Sequence, residues 1–92
     1  MNTPWGKATR IWQITTGVLY VKTKSHGGYQ LTPERNEEIP APLRKADCWY
    51  EEDCEAAIVA SFVKDECFEA KKEMARGMVA RWFPEAAIHL PV

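Results

Sequence analysis

Three groups of residues in this 92-residue chain carry types and spacings that bear on chemistry. The first is basic: Lys7, Arg10, Lys22 and Lys24, interleaved with Trp5, Trp12 and Tyr20. Cationic side chains bind phosphate by releasing condensed counterions, and aromatic rings stack on unpaired bases, so this set suits a nucleic acid. The plainer alternative is an ordinary charged sheet face with Trp12 and Tyr20 turned into a core. The second group is acidic, Glu51-Glu52-Asp53-Cys54-Glu55. Clustered carboxylates can hold a divalent cation, which makes a metal-dependent enzyme acting on nucleic acid one reading. Against it, acids in the first turn of a helix are favoured by the helix dipole, and consecutive helical residues point around the axis rather than at one ion. The third is His26 beside Gly27 and Gly28, a catalytic or binding residue on a loop or simply a tight turn, with no partner identifiable by spacing. Cys48, Cys54 and Cys67 with His26 and His89 contain no paired-ligand knuckle of the kind zinc sites use. Cys54 and Cys67 read instead as small apolar residues on helix faces. Neither a cofactor nor a resident metal is expected.

The charge is unevenly distributed although the net value is only -1. Residues 1–24 hold four bases and no acid; between Glu34 and Glu55 eight acids face three bases, and the remainder balances. A hydrophobic fraction of 46%, with four Trp, three Tyr and three Phe, supplies one core, so residues 1–92 are expected to form a single domain. Three unpatterned cysteines argue for a reducing compartment. Met1 to Arg10 has no signal-peptide core and no apolar run is long enough for a bilayer, so a soluble protein without membrane partners is expected.

The elements that must position these groups follow from pattern. Ala8–Thr15 and Val18–Val21 are rich in β-formers around Thr16-Gly17, which predicts a hairpin. Ser25-His26-Gly27-Gly28 predicts a second turn, with Tyr29-Gln30-Leu31 as a short third strand. Thr32-Pro33-Glu34 has the hydroxyl, proline and acid of a helix start, and Ile39-Pro40-Ala41-Pro42 stops that helix early. A connector runs to about Cys48. From about Tyr50, Cys54, Ala57, Ile58, Ser61 and Phe62 recur at helical spacing. A last helix, Glu66 to Phe83, presents Phe68, Ala75, Val79 and Trp82 beside Met74 and Met78, and Pro84 ends it; Ile88 and Leu90 in the tail are expected to pack on the body. The fold class is α+β, a small antiparallel sheet packed against two C-terminal helices.

Thr3-Pro4-Trp5-Gly6-Lys7, Ser25-His26-Gly27-Gly28, Leu31-Thr32-Pro33-Glu34-Arg35-Asn36, Pro42-Leu43-Arg44 and Trp49-Tyr50-Glu51-Glu52-Asp53-Cys54-Glu55, in this order, resemble small proteins of phages and mobile elements. Within that group the chain is similar to phage anti-CRISPR proteins that inhibit type I-F surveillance complexes. The resemblance brings no catalytic residues. It implies a stoichiometric inhibitor in the cytoplasm of the bacterial host that docks on Cas backbone and large subunits, touches the guide RNA and blocks hybridisation of target DNA. Such complexes hold the guide in a basic channel and leave sequence reading to base pairing, so occupation of the channel is enough. On this reading Lys7, Arg10, Lys22, Lys24, His26 and Arg35 contact RNA or its channel, and Glu51, Glu52 and Asp53 contact basic subunits. A phage DNA-binding regulator would also use the bases, but no helix-turn-helix is evident and the three acids of the last helix largely cancel the field of its four bases.

Overall fold

The computed structural model describes residues 1–85; the expected packing of Ile88 and Leu90 lies outside the described residues. A two-stranded ribbon, β1 (Asn2–Thr3) and β2 (Gly6–Lys7), opens the chain. The predicted hairpin follows as β3 (Arg10–Thr15) and β4 (Val18–Lys22), with Gly17 at φ 77° in the turn, a conformation that favours glycine. Arg10 pairs with Lys22 and Trp12 with Tyr20, and the register shifts between Gln13 and Thr15, which leaves Ile14 as a one-residue bulge. Strand β5 (Gly27–Leu31) pairs antiparallel with β4, and β6 (Trp49–Glu51) pairs antiparallel with β5. The sheet order is therefore β3-β4-β5-β6. Three α-helices are present among the described residues: α1 (Pro33–Asn36), α2 (Ala56–Phe62) and α3 (Lys72–Trp82). The fold is α+β, an antiparallel sheet with C-terminal helices, as the sequence pattern predicts.

Val18, Leu31 and Tyr50 from the sheet are buried in one cluster with Ala57 to Ala60 of α2, Phe68, and Ala75 and Val79 of α3. Alternation along each strand puts Val18, Tyr29, Leu31 and Tyr50 on this face. On the opposite face Trp5 sits over Gly28 and meets Trp49 edge to face, with centroids 5.6 Å apart. Val21, the register partner of Gly28, is fully buried there although it lies outside the main cluster.

Four expectations need correction. The turn after β4 is Thr23 to His26, closed by the Thr23 N–H donating to the His26 carbonyl at 2.8 Å, and both glycines lie inside β5. They are needed there for the side chain they lack: a Cβ at Gly27 would stand 2.9 Å from Glu52 Oε2 and Tyr20 Oη, and one at Gly28 would run into the Trp5 indole and the Tyr50 carbonyl. Trp49–Glu51 is a strand rather than the start of a helix, because Cys48, at φ 65°, swings the chain onto the open edge of β5. Helix α2 consequently begins at Ala56 with no acid in its first turn, so the dipole does not account for the acidic run. The last predicted helix is divided into a 3₁₀ segment, Glu66–Lys71, and α3. Trp82 and Met74 are exposed rather than core, and Cys67 is exposed while Cys54 is half-buried.

A buried polar knot holds the connector. Tyr50 Oη donates to Asn36 Oδ1 and accepts from the Lys45 N–H at 3.0 Å, while Asn36 Nδ2 donates to the Lys45 carbonyl at 2.9 Å. Arg44 Nε donates to the carbonyls of Asn36 and Ile39 at the end of α1. Removing one partner from such a knot strands the others. Tyr50→Phe, which keeps the ring and deletes the hydroxyl, is expected to lower unfolding free energy by about 1–3 kcal/mol in urea titration without changing the far-ultraviolet spectrum.

Candidate functional site

The β3–β4 register brings the basic residues together at one end of the sheet. Arg10 opens β3 directly across from Lys22, which closes β4; Lys7 precedes Arg10 on β2, and Lys24 follows Lys22 into the turn. Lys7, Arg10 and Lys24 are exposed and, among the described residues, have no carboxylate partner. The Arg10 guanidinium lies 5.5 Å from the ring centroid of Trp12, itself 43% exposed. Trp12 begins an aromatic row, Trp12 to Tyr20 to Tyr29 to Phe68, with successive centroids 5.8, 5.3 and 5.8 Å apart, which anchors the exposed indole to the core.

Lys22 and His26 are differently placed. Pairing of β6 with β5 carries Glu51 and Glu52 alongside the same end of the sheet, and the Glu52 N–H donates to the Gly27 carbonyl at 2.9 Å. Lys22 Nζ then lies 3.6 Å from Glu52 and His26 Nδ1 lies 3.7 Å from Glu51. The Tyr20 hydroxyl donates to Glu52 Oε2. Burial, reinforced by that bond and the carboxylate charge, pushes the Tyr20 phenol up to about 12, and the same bond, with Lys22 nearby, holds Glu52 below its ordinary value. The proton therefore stays on Tyr20 and the charge on Glu52. The missing Cβ of Gly27 gives this cluster its room. Basic and acidic runs that looked like two surfaces in the sequence thus adjoin and partly neutralise each other.

Asp53 is exposed without a cationic partner among the described residues, whereas Glu55 pairs with Lys45 at 2.8 Å and accepts from the Glu51 N–H at 3.0 Å. Glu51, Asp53 and Glu55 share an open cleft with Trp5 and Trp82. Among the described residues no three His, Cys, Asp or Glu side chains converge as metal ligands would.

Arg35 is not part of this constellation. It sits at the Gly17 end of the sheet, where Nε donates to the Thr16 carbonyl at 2.8 Å, Nη1 to the Lys64 carbonyl at 3.2 Å, and Nη2 to Asp65 at 2.9 Å. It clamps the hairpin turn to α1 and to the loop after α2, with its guanidinium spent on internal partners. These internal bonds set Arg35 apart from the other bases expected to meet a partner. The aromatic pair Trp49-Tyr50 was the available signal for β6, and Ile11, Trp12 and Ile14 for an unpaired edge; helical periodicity beyond Tyr50 masked the first.

Asp65 lies well below the usual carboxylate range, at about 2, because the Cys67 N–H, the Cys67 thiol, the Thr15 hydroxyl and Arg35 all favour its charged form. A carboxylate depressed on folding contributes stability above its unfolded value that disappears as pH falls through its folded one. Asp65→Asn is therefore expected to be less stable than the parent at neutral pH, and the deficit to close between about pH 4 and pH 2, read by denaturation across that range.

No helix among the described residues is long and apolar enough to cross a membrane. No curated protein and no solved structure matches the chain. Residues 1–90 match a family described as a domain of unknown function, DUF7007, and to that family the chain belongs.

Proposed function

We propose that this domain is a phage anti-CRISPR protein that inhibits a type I-F guide-loaded surveillance complex in the bacterial cytoplasm by occupation rather than turnover. The bases at the open end of the sheet meet guide RNA, Cas backbone and large subunits receive the remaining contacts, and target DNA is denied access. The observation that carries this reading is the group Lys7, Arg10 and Lys24, exposed beside Trp12 and unpaired among the described residues. Three free cations next to an anchored indole can follow a phosphate backbone and stack a base. Glu51, Glu52 and Asp53 supply acid for basic subunit surfaces, Asp53 without giving up an internal partner. Resemblance of the ordered motifs to anti-CRISPR proteins supplies the target.

Mixing the protein with a guide-loaded type I-F complex and measuring co-elution together with target-DNA binding tests this directly. Co-elution with stoichiometric loss of DNA binding is expected; undiminished DNA binding sinks the proposal. Binding of free duplex with steep salt dependence would favour a DNA-binding regulator instead, and substoichiometric activity lost on chelation a metal-dependent enzyme. Reversal of Arg10 and Lys24 to Glu is expected to weaken inhibition by about tenfold or more while the unfolding midpoint is retained. Unchanged potency would remove this end of the sheet from the interface.

A further inference from the structure

Among the described residues, strand β3 is an open edge. It pairs with β4 on one side only, and alternate residues of an edge strand aim backbone N–H and C=O groups outwards. Every residue from Arg10 to Ile14 is exposed, with Ile11 at 47% and Ile14 at 40% beside Trp12. An edge this apolar ordinarily carries protective charges along its length or is covered. Among the described residues the only such devices are Arg10 at one end and the Ile14 bulge at the other. The unpaired charge at the start of the strand is basic as well: Lys7, Arg10 and Lys24 have no carboxylate partner among the described residues, whereas the nearby Glu51 and Glu52 are paired with His26 and Lys22, and Asp65 at the far end with Arg35. The exposed indole is already held by the aromatic row, so an added strand would not have to order it.

We propose that β3 is the docking edge for an extended, acidic segment of a partner protein, which adds to the sheet as a fifth strand. Backbone hydrogen bonds along Arg10 to Gln13 hold it, and the bulge at Ile14 ends the pairing. Side chains of the segment alternate between two faces. Acidic ones lie beside Arg10 and Trp12, and apolar ones beside Ile11. Lys7 and Lys24 extend the positive field past the end of the strand and select acidic over basic segments. The surface is defined by main-chain pairing, so it stands whether or not the domain meets guide RNA.

Amide hydrogen exchange on the unaltered protein reads such pairing directly. A short synthetic peptide of alternating glutamate and valine is expected to slow exchange at amides within Arg10 to Gln13, and an alternating lysine and valine peptide to leave them unchanged. Arg10→Glu is expected to weaken the acidic peptide by about tenfold. Absent protection in β3, equal binding of the lysine peptide, protection by single-stranded RNA but not by the acidic peptide, or occupation of the edge by a second copy in sedimentation would each overturn the proposal. Because the decisive readout needs no substitution, a variant that folds poorly leaves the answer intact.

Discussion

The hydroxyl of Tyr50 is the point on which much of this structure turns. Its ring is fully buried between the sheet and α2, and its oxygen is bonded to Asn36 and to the backbone of Lys45. Those bonds tie β6, α1 and the proline-interrupted connector into one unit, so the strand cannot slide without stranding a buried polar atom. A slip of one residue would also move Tyr50 to the opposite face. With β6 fixed in register against β5, the acidic run is carried to the end of the sheet beside Lys22 and His26, and the opposite edge, β3, is left open among the described residues.

Most of the residues in the conspicuous motifs have work to do inside the fold. Arg35 clamps the hairpin turn, Arg44 takes the carbonyls at the end of α1, Thr32 caps that helix, and Trp5 lies on Gly28 and Trp49. Gly27 and Gly28 sit within a strand because neighbouring side chains and backbone occupy the space a Cβ would need. The groups left free for a partner, Lys7, Arg10, Lys24, Ile11 and Trp12, fall largely between those motifs. Conspicuous motifs in a domain this small therefore describe how it folds more than what it touches, since few side chains are left over once a core and its polar knots are made.

Charge segregation along the chain survives folding only in part. Bases and acids separated by some thirty positions are brought into ion pairs by the β4–β5–β6 ladder, which partly neutralises Lys22 and Glu52. Of the four N-terminal bases, Lys7, Arg10 and Lys24 keep no carboxylate partner among the described residues, and they gather where β2, β3 and the β4–β5 turn meet. Electrostatic character at a binding surface depends on these leftovers rather than on the run of charges in the sequence.

The sequence by itself determined the α+β class, the hairpin with glycine in its turn, the Thr32-Pro33 helix start and the proline stop, because each rests on intrinsic backbone preference or on hydrophobic period within a few residues. The tertiary structure alone decided that Trp49–Glu51 is a strand, that the glycine pair is a clearance rather than a turn, that Arg35 is a clamp, and which cations stay unpaired. Each of these depends on a partner remote in sequence: β5 for the strand, Trp5 for Gly28, Asp65 for Arg35 and Glu52 for Lys22. Local pattern is blind to such contacts, because burial, steric clearance and charge pairing exist only once the chain has closed on itself.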